Sequence, residues 1–147
     1  MRSRRALLVA LVAVGLGLSG CTQPAQSASS GQKASHVKVE AIAGSTVKKV
    51  TLTEQANTRL GIKTTTITGS GQSTVVPYSA ILYDPSGVTW VYTMPQALTY
   101  VREKVVVATV GGPGGTEARL TTSPAVGTTI VSTGAIELYG AELGVGK

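Results

Sequence analysis

Cys21 and His36 are the chain's one thiol and one imidazole, and a nucleophile paired with a general base is the first chemistry such side chains offer. The stretch between them is Ser, Ala, Gln and Gly with a single Pro and almost no large apolar residue, so nothing there fixes one group against the other. The six glutamates, at 40, 54, 103, 117, 137 and 142, fall at no paired spacing suited to acid and base work. Asp84 opens Asp84-Pro85-Ser86-Gly87, with Asp, Pro and Gly at the first, second and fourth places of a type I turn. His36 has no second His, Cys or carboxylate cluster nearby, and beyond residue 20 Met94 is the sole methionine, so no metal site is expected. Gly111-Gly112-Pro113-Gly114-Gly115 lacks a following Gly-Lys-Ser/Thr and reads as a hairpin loop, not a phosphate cradle. Trp90 and Tyr92 share one face of an expected strand and can stack on a ligand ring. A chain with no Phe and 4% aromatics needs its rings in the core, which is where they are expected. These residues make no recognisable catalytic constellation and call for no cofactor.

Cys21 has a context of its own. Arg2, Arg4 and Arg5 precede the apolar run Ala6 to Leu18, which is too short for the ~20 residues that cross a membrane as a helix. Ser19 and Gly20 are small enough to admit a peptidase just before Cys21, and Leu18-Ser19-Gly20-Cys21 resembles a bacterial lipoprotein lipobox. The resemblance implies that residues 1 to 20 are a signal peptide and that Cys21 becomes the lipidated first residue. It also implies export, with an anchor on the outer face of the cell membrane. Ser3-Arg4-Arg5 faintly resembles a twin-arginine signal, which would change the export route and not the destination. With its only thiol acylated, the chain can form no internal disulfide.

The leader also carries three of the thirteen basic residues and no acidic one, so beyond it the net charge falls from +6 to +3. That charge is diffuse: Lys48-Lys49 is the only adjacent basic pair past the leader and no basic stripe interleaves with aromatics. Nucleic acid is not an expected partner.

Residues 21 to 36 form the lipidated Cys and a flexible linker, because so polar and small a composition cannot repay the entropy of ordering it. Residues 37 to 147 follow as one domain of 111 residues, enough to bury about two-thirds of its unfolded surface. The pattern is that of a mostly β fold: Val and Thr abound, apolar and polar residues alternate, and Gly or Pro recurs about every ten residues. Strands are expected at 37 to 41, 47 to 52 and 62 to 68. Thr53 to Gly61 is a short helix, with Thr53 as N-cap, Glu54 and Arg59 at the ends their charges favour, and Gly61 as the stop. Residues 69 to 73 read as a flexible loop and 78 to 94 as a hairpin about the Asp84 turn. Tyr100 to Val110 reads as one long strand, central in its second half. Strands at 117 to 121 and 128 to 133 and a single helical turn at 135 to 138 complete the domain.

Val76-Pro77-Tyr78-Ser79-Ala80, the Asp84 turn, Trp90-Val91-Tyr92, the strand from Tyr100, Ser123-Pro124-Ala125-Val126-Gly127 and Gly134-Ala135-Ile136-Glu137-Leu138 follow one another in an order of their own. That order resembles the C-terminal membrane-proximal region of periplasmic adaptor subunits, or membrane-fusion proteins, of RND-type efflux transporters. Val50-Thr51-Leu52-Thr53-Glu54-Gln55-Ala56 with Leu60-Gly61-Ile62 resembles the segment with which many such adaptors begin. The likeness spans most of residues 47 to 143 and implies a single small β-roll or barrel-like domain with one short helix. It further implies contact with an inner-membrane RND-type or ABC-type transporter. A full adaptor leaves this domain for a β-barrel, a lipoyl-like domain and a helical hairpin before returning. Here only Gly69 to Thr74 joins the two halves, so the expected protein is a free-standing membrane-proximal domain that acts by protein contact. The rival from another class is a small-molecule-binding lipoprotein with Trp90 and Tyr92 in its pocket.

Overall fold

A computed structural model describes residues 35–70 and 73–145. The expected signal peptide at 1–20, the lipidation site Cys21 and the linker as far as residue 34 lie outside the described residues. Strands β1 (Val37–Ala41) and β2 (Lys48–Leu52) form a hairpin, with Val37 opposite Leu52. Helix α1 (Glu54–Arg59) begins where expected: the Thr53 hydroxyl accepts the Ala56 N–H at 3.2 Å. Glu54 and Arg59 then sit at the helix ends that favour their charges.

β3 (Lys63–Thr66) and β4 (Thr68–Ser70) follow, separated by the buried Ile67, and the chain returns in β5 (Ser73–Pro77). The expected loop at 69–73 is thus largely strand, with Gly69 opposite Thr74 and Ser70 opposite Ser73. A turn of 3-10 helix at Tyr78–Ala80 leads to β6 (Leu82–Tyr83), and the Asp84 turn to β7 (Thr89–Gln96). That turn is closed by Gly87 N–H to Asp84 O at 2.9 Å, and the Asp84 carboxylate accepts the Ser86 and Val88 N–H groups.

The run from Tyr100 is not one strand. It divides at Val105 into β8 (Thr99–Lys104) and β9 (Val106–Gly111), which belong to different sheets. Val105 is the pivot: its N–H donates to Thr89 O, its side chain is 1% exposed, and the chain turns there to bury it. β9 then runs along an edge, with Val106 and Val110 exposed, rather than through the centre. β10 (Glu117–Thr122), β11 (Thr129–Thr133) and α2 (Ala135–Leu143) complete the chain. α2 is nine residues long where one turn was expected. Gly140 does not end it; Gly144 does, at φ +81°, with the Val145 N–H returned to Gly140 O at 2.9 Å.

The fold is mostly β, as expected, and its two sheets are antiparallel and open. One has the order β1-β2-β8-β7-β11-β3 with β6 paired to β7, and the other is β4-β5-β10-β9. No barrel closes among the described residues. β7 divides the interior, because alternate residues point to opposite faces. Tyr92 enters a core with Val50, Leu52, Ala56, Tyr100 and Leu138, the one that α1 and α2 cover. Val91 enters a second core with Val76, Leu120 and Ile130, where the two sheets meet.

Candidate functional site: a buried carboxylate and an apolar cleft

β7 and β8 are paired so that Tyr92 stands opposite Arg102, and α2 lays Ala135, Leu138 and Glu142 along its buried side. That register brings three polar side chains together inside the helix-covered core. Glu142 is 2% exposed. Its Oε1 accepts from Arg102 Nη2 at 3.0 Å and from the Lys48 N–H at 3.2 Å, while its Oε2 accepts the Tyr92 hydroxyl at 2.6 Å. Arg102 Nε lies 2.8 Å from Oε2, but its N–H is out of line, so this contact is ionic rather than a formed hydrogen bond.

The guanidinium is framed by rings, 4.7 Å from the Trp90 centroid and 4.9 Å from that of Tyr139, both within cation–π range. Trp90 is itself held by Asp84, whose Oδ2 accepts the indole N–H at 3.0 Å. That bond and those from Val88 and Ser86 hold the Asp84 carboxyl below its ordinary range. Burial, and then the bond to Glu142, push the Tyr92 hydroxyl well above its ordinary value.

Both Glu142 oxygens are engaged and none faces solvent, so this carboxylate is built to hold β2, β7, β8 and α2 together and not to meet a substrate. The aromatic stripe is where the sequence puts it, on one face of β7, with Tyr92 at 0% exposure and Trp90 half-buried over Arg102. Both rings belong to the cluster. His36 lies at the surface, its Nδ1 3.4 Å from the Thr53 hydroxyl.

A separate cleft of about 350 Å³ opens beside the start of α2. Ile81, Leu82 and Tyr83 form one wall and Gly134, Ala135 and Ile136 another; Trp90 and Tyr92 do not line it. Ser79, also in its lining, donates its hydroxyl to Ser132 O at 2.7 Å. Tyr83 and Ile136 stand exposed at its rim, and the Tyr83 hydroxyl titrates above its ordinary value because it is hydrogen-bonded to Tyr78. Among the described residues no three His, Cys, Asp or Glu side chains gather as metal ligands, and no helix is long and apolar enough to cross a membrane.

Sequence reasoning passes over Glu142 because it ends the helix at 138, four residues short. With α2 drawn to 143, Glu142 falls on the stripe of Ala135 and Leu138, and a carboxylate on an apolar stripe demands a buried cation. Comparison of the chain with family models, with curated proteins and with solved structures found no match in any of the three.

Proposed function

We propose that the chain is a lipid-anchored, exported accessory protein that works by contact with a membrane transporter of the RND type, or of the ABC type, in the manner of an adaptor's membrane-proximal domain. The observation that carries this reading is the way the two halves of the chain interleave. Strands preceding residue 71 occupy both ends of the larger sheet, as β1-β2 and as β3, and those following residue 72 fill its middle. In the smaller sheet β4 of the first half pairs with β5 of the second. The domain is therefore one body in which β4 and β5, neighbours in sequence, pair directly, at the place where an adaptor's long excursion would leave and re-enter. The lipobox-like Leu18-Ser19-Gly20-Cys21 supports the membrane half of the reading. An acyl anchor confines the body to a surface and raises its effective concentration for a transporter there.

The test is crosslinking in native membranes, followed by identification of what is recovered. A polytopic transporter is expected with the acylated protein, and much less of it with an exported Cys21→Ala chain. Recovery of no transporter, together with a stoichiometric small molecule in native mass spectra, overturns the proposal in favour of a binding lipoprotein.

A further inference from the structure

The chain enters the folded body at His36 and Val37, and the register of the larger sheet sets that entry beside the tip of the β7–β8 hairpin. Val37 is opposite Leu52, and the Leu52 N–H donates to Leu98 O at 2.9 Å. β1, β2 and β8 are successive neighbours, so Leu98 lies two strand spacings, roughly 10 Å, from Val37. The tip is Ala97-Leu98, between the paired Gln96 and Thr99, and Pro95 precedes it in a break of the pairing between Thr93 and Gln96. Pro95, Gln96 and Ala97 are exposed, and no charged residue occurs from Pro85 to Val101.

Leu98 breaks the local rules. Among the described residues it is the one non-glycine with a left-handed backbone, at φ +58°, a conformation that crowds a Cβ. Packing in the cores does not offset that cost, because Leu98 is half-buried and joins neither of them. The backbone of the tip is also suited to a dry environment. Pro95 has no N–H, Ala97 O accepts the Thr99 hydroxyl at 3.4 Å, and Leu98 O accepts from Leu52, so less of the main chain must be stripped of water on meeting lipid.

We propose that this tip dips into the lipid surface to which the chain is anchored, with Pro95, Ala97 and Leu98 at the headgroup boundary. The occupant follows from where the anchor attaches. Ser35 is fourteen residues after Cys21, a length that extends at most about 50 Å, and it joins the body at the rim that carries the tip. The surface this rim is held against is therefore the membrane. His36 and Glu54 belong to the same end, since Thr53, which precedes Glu54, donates its N–H to His36 O; an acidic side chain there keeps the insertion shallow. So small an apolar tip binds weakly by itself, and the anchor supplies the effective concentration it lacks. The inference rests on the anchoring half of the proposed function and needs no transporter.

The test uses the full acylated chain in vesicles of phosphatidylethanolamine and phosphatidylglycerol, with an environment-sensitive fluorophore on Ala97→Cys. Flotation of the vesicles reads the anchor, and quenching by lipids brominated in their acyl chains reads the tip. Emission from Ala97→Cys is expected to shift to the blue and to be quenched several-fold more than that from Lys104→Cys, exposed at the other end of β8. Leu98→Gly in the labelled chain is expected to leave the melting temperature unchanged or raised, because glycine accepts the left-handed backbone, and to reduce the quenching several-fold. A floated chain with no quenching at Ala97→Cys, equal quenching at both ends of β8, or quenching indifferent to Leu98→Gly overturns the proposal. A lower melting temperature for Leu98→Gly shows that Leu98 serves the fold and overturns it too. A blue shift seen in native membranes but not in the vesicles means that the tip meets a protein, and overturns the lipid as occupant. A chain that does not float overturns the anchoring, and this inference with it.

Discussion

Glu142 places a negative charge where an arginine, a tyrosine and the Lys48 N–H answer it, and its worth lies in what is left behind when one partner goes. Glu142→Leu strands the Arg102 cation, whose side chain is 9% exposed, and is expected to cost about 3–5 kcal/mol in denaturant unfolding. The double variant Glu142→Leu/Arg102→Leu is expected to cost less than Glu142→Leu alone, because no uncompensated charge remains. A double variant at least as damaged as the single would show that the pair is not coupled. Tyr92→Phe removes one donor from Oε2 and is expected to cost roughly 1–3 kcal/mol. It also changes the response to pH. Folding raises the Tyr92 pKa, so its stabilisation is complete below about pH 10, where the unfolded tyrosine ionises, and falls as pH rises beyond it. The wild-type melting temperature should drop more steeply above that pH than that of Tyr92→Phe. Asp84 acts in the opposite sense: its pKa is lowered by Trp90, Val88 and Ser86, so its contribution is present at neutral pH and is lost as acid protonates it.

At the scale of elements, the connection between β4 and β5 and the start of α2 differ sharply in what they tolerate. Ten Gly/Ser residues inserted between β4 and β5 lengthen a closed loop, whose cost grows only as the logarithm of its length, and should lower stability by about 1.5 kcal/mol. At Gly134 one methyl is the harder change to accommodate. The backbone there has φ +91° and an added Cβ would lie 2.4 Å from Ile62 Cδ1. Gly134→Ala is expected to cost about 1–2 kcal/mol from the left-handed conformation alone, with the clash in addition. Thermal melts compare the two directly. The legible elements were those whose signals are local, such as the Thr53 cap, the Asp84 turn, and the alternation that sends Tyr92 and Val91 to opposite faces of β7. The division at Val105 was not legible, because a run of valines satisfies a central strand and an edge strand equally and only the second sheet decides. The pairing of Gly69 and Ser70 with Thr74 and Ser73 was hidden, because Gly and Ser have little strand propensity and pair here with β10 lying alongside β5. The Glu142 cluster needed contacts across forty and fifty residues, and no sequence spacing announces those.

For the whole molecule, the reading turns on Cys21. Cys21→Ala is expected to leave either an unprocessed precursor or protein released from the membrane, since stable anchoring needs more than one acyl chain. Detergent partitioning with mass analysis of the N-terminal peptide checks this, and a mature Cys21 without lipid would contradict it. In a chain so anchored, any pull from the membrane enters the body at His36, whose carbonyl accepts the Thr53 N–H at 3.0 Å, and then at β1. That strand is the outermost of its sheet and has β2 as its one neighbour. Its Glu40 pairs with Lys38 and Lys49 at 2.9 and 3.0 Å, but at the surface, where such contacts resist little. Tension therefore loads the β1–β2 pairing first, together with the contact of Val37 on the helix-covered core, while the fully buried residues of both cores lie downstream. β1 is expected to detach before the cores open under load, which a single-molecule pull on the N-terminus would show as a short first extension and a single all-or-none rupture would contradict.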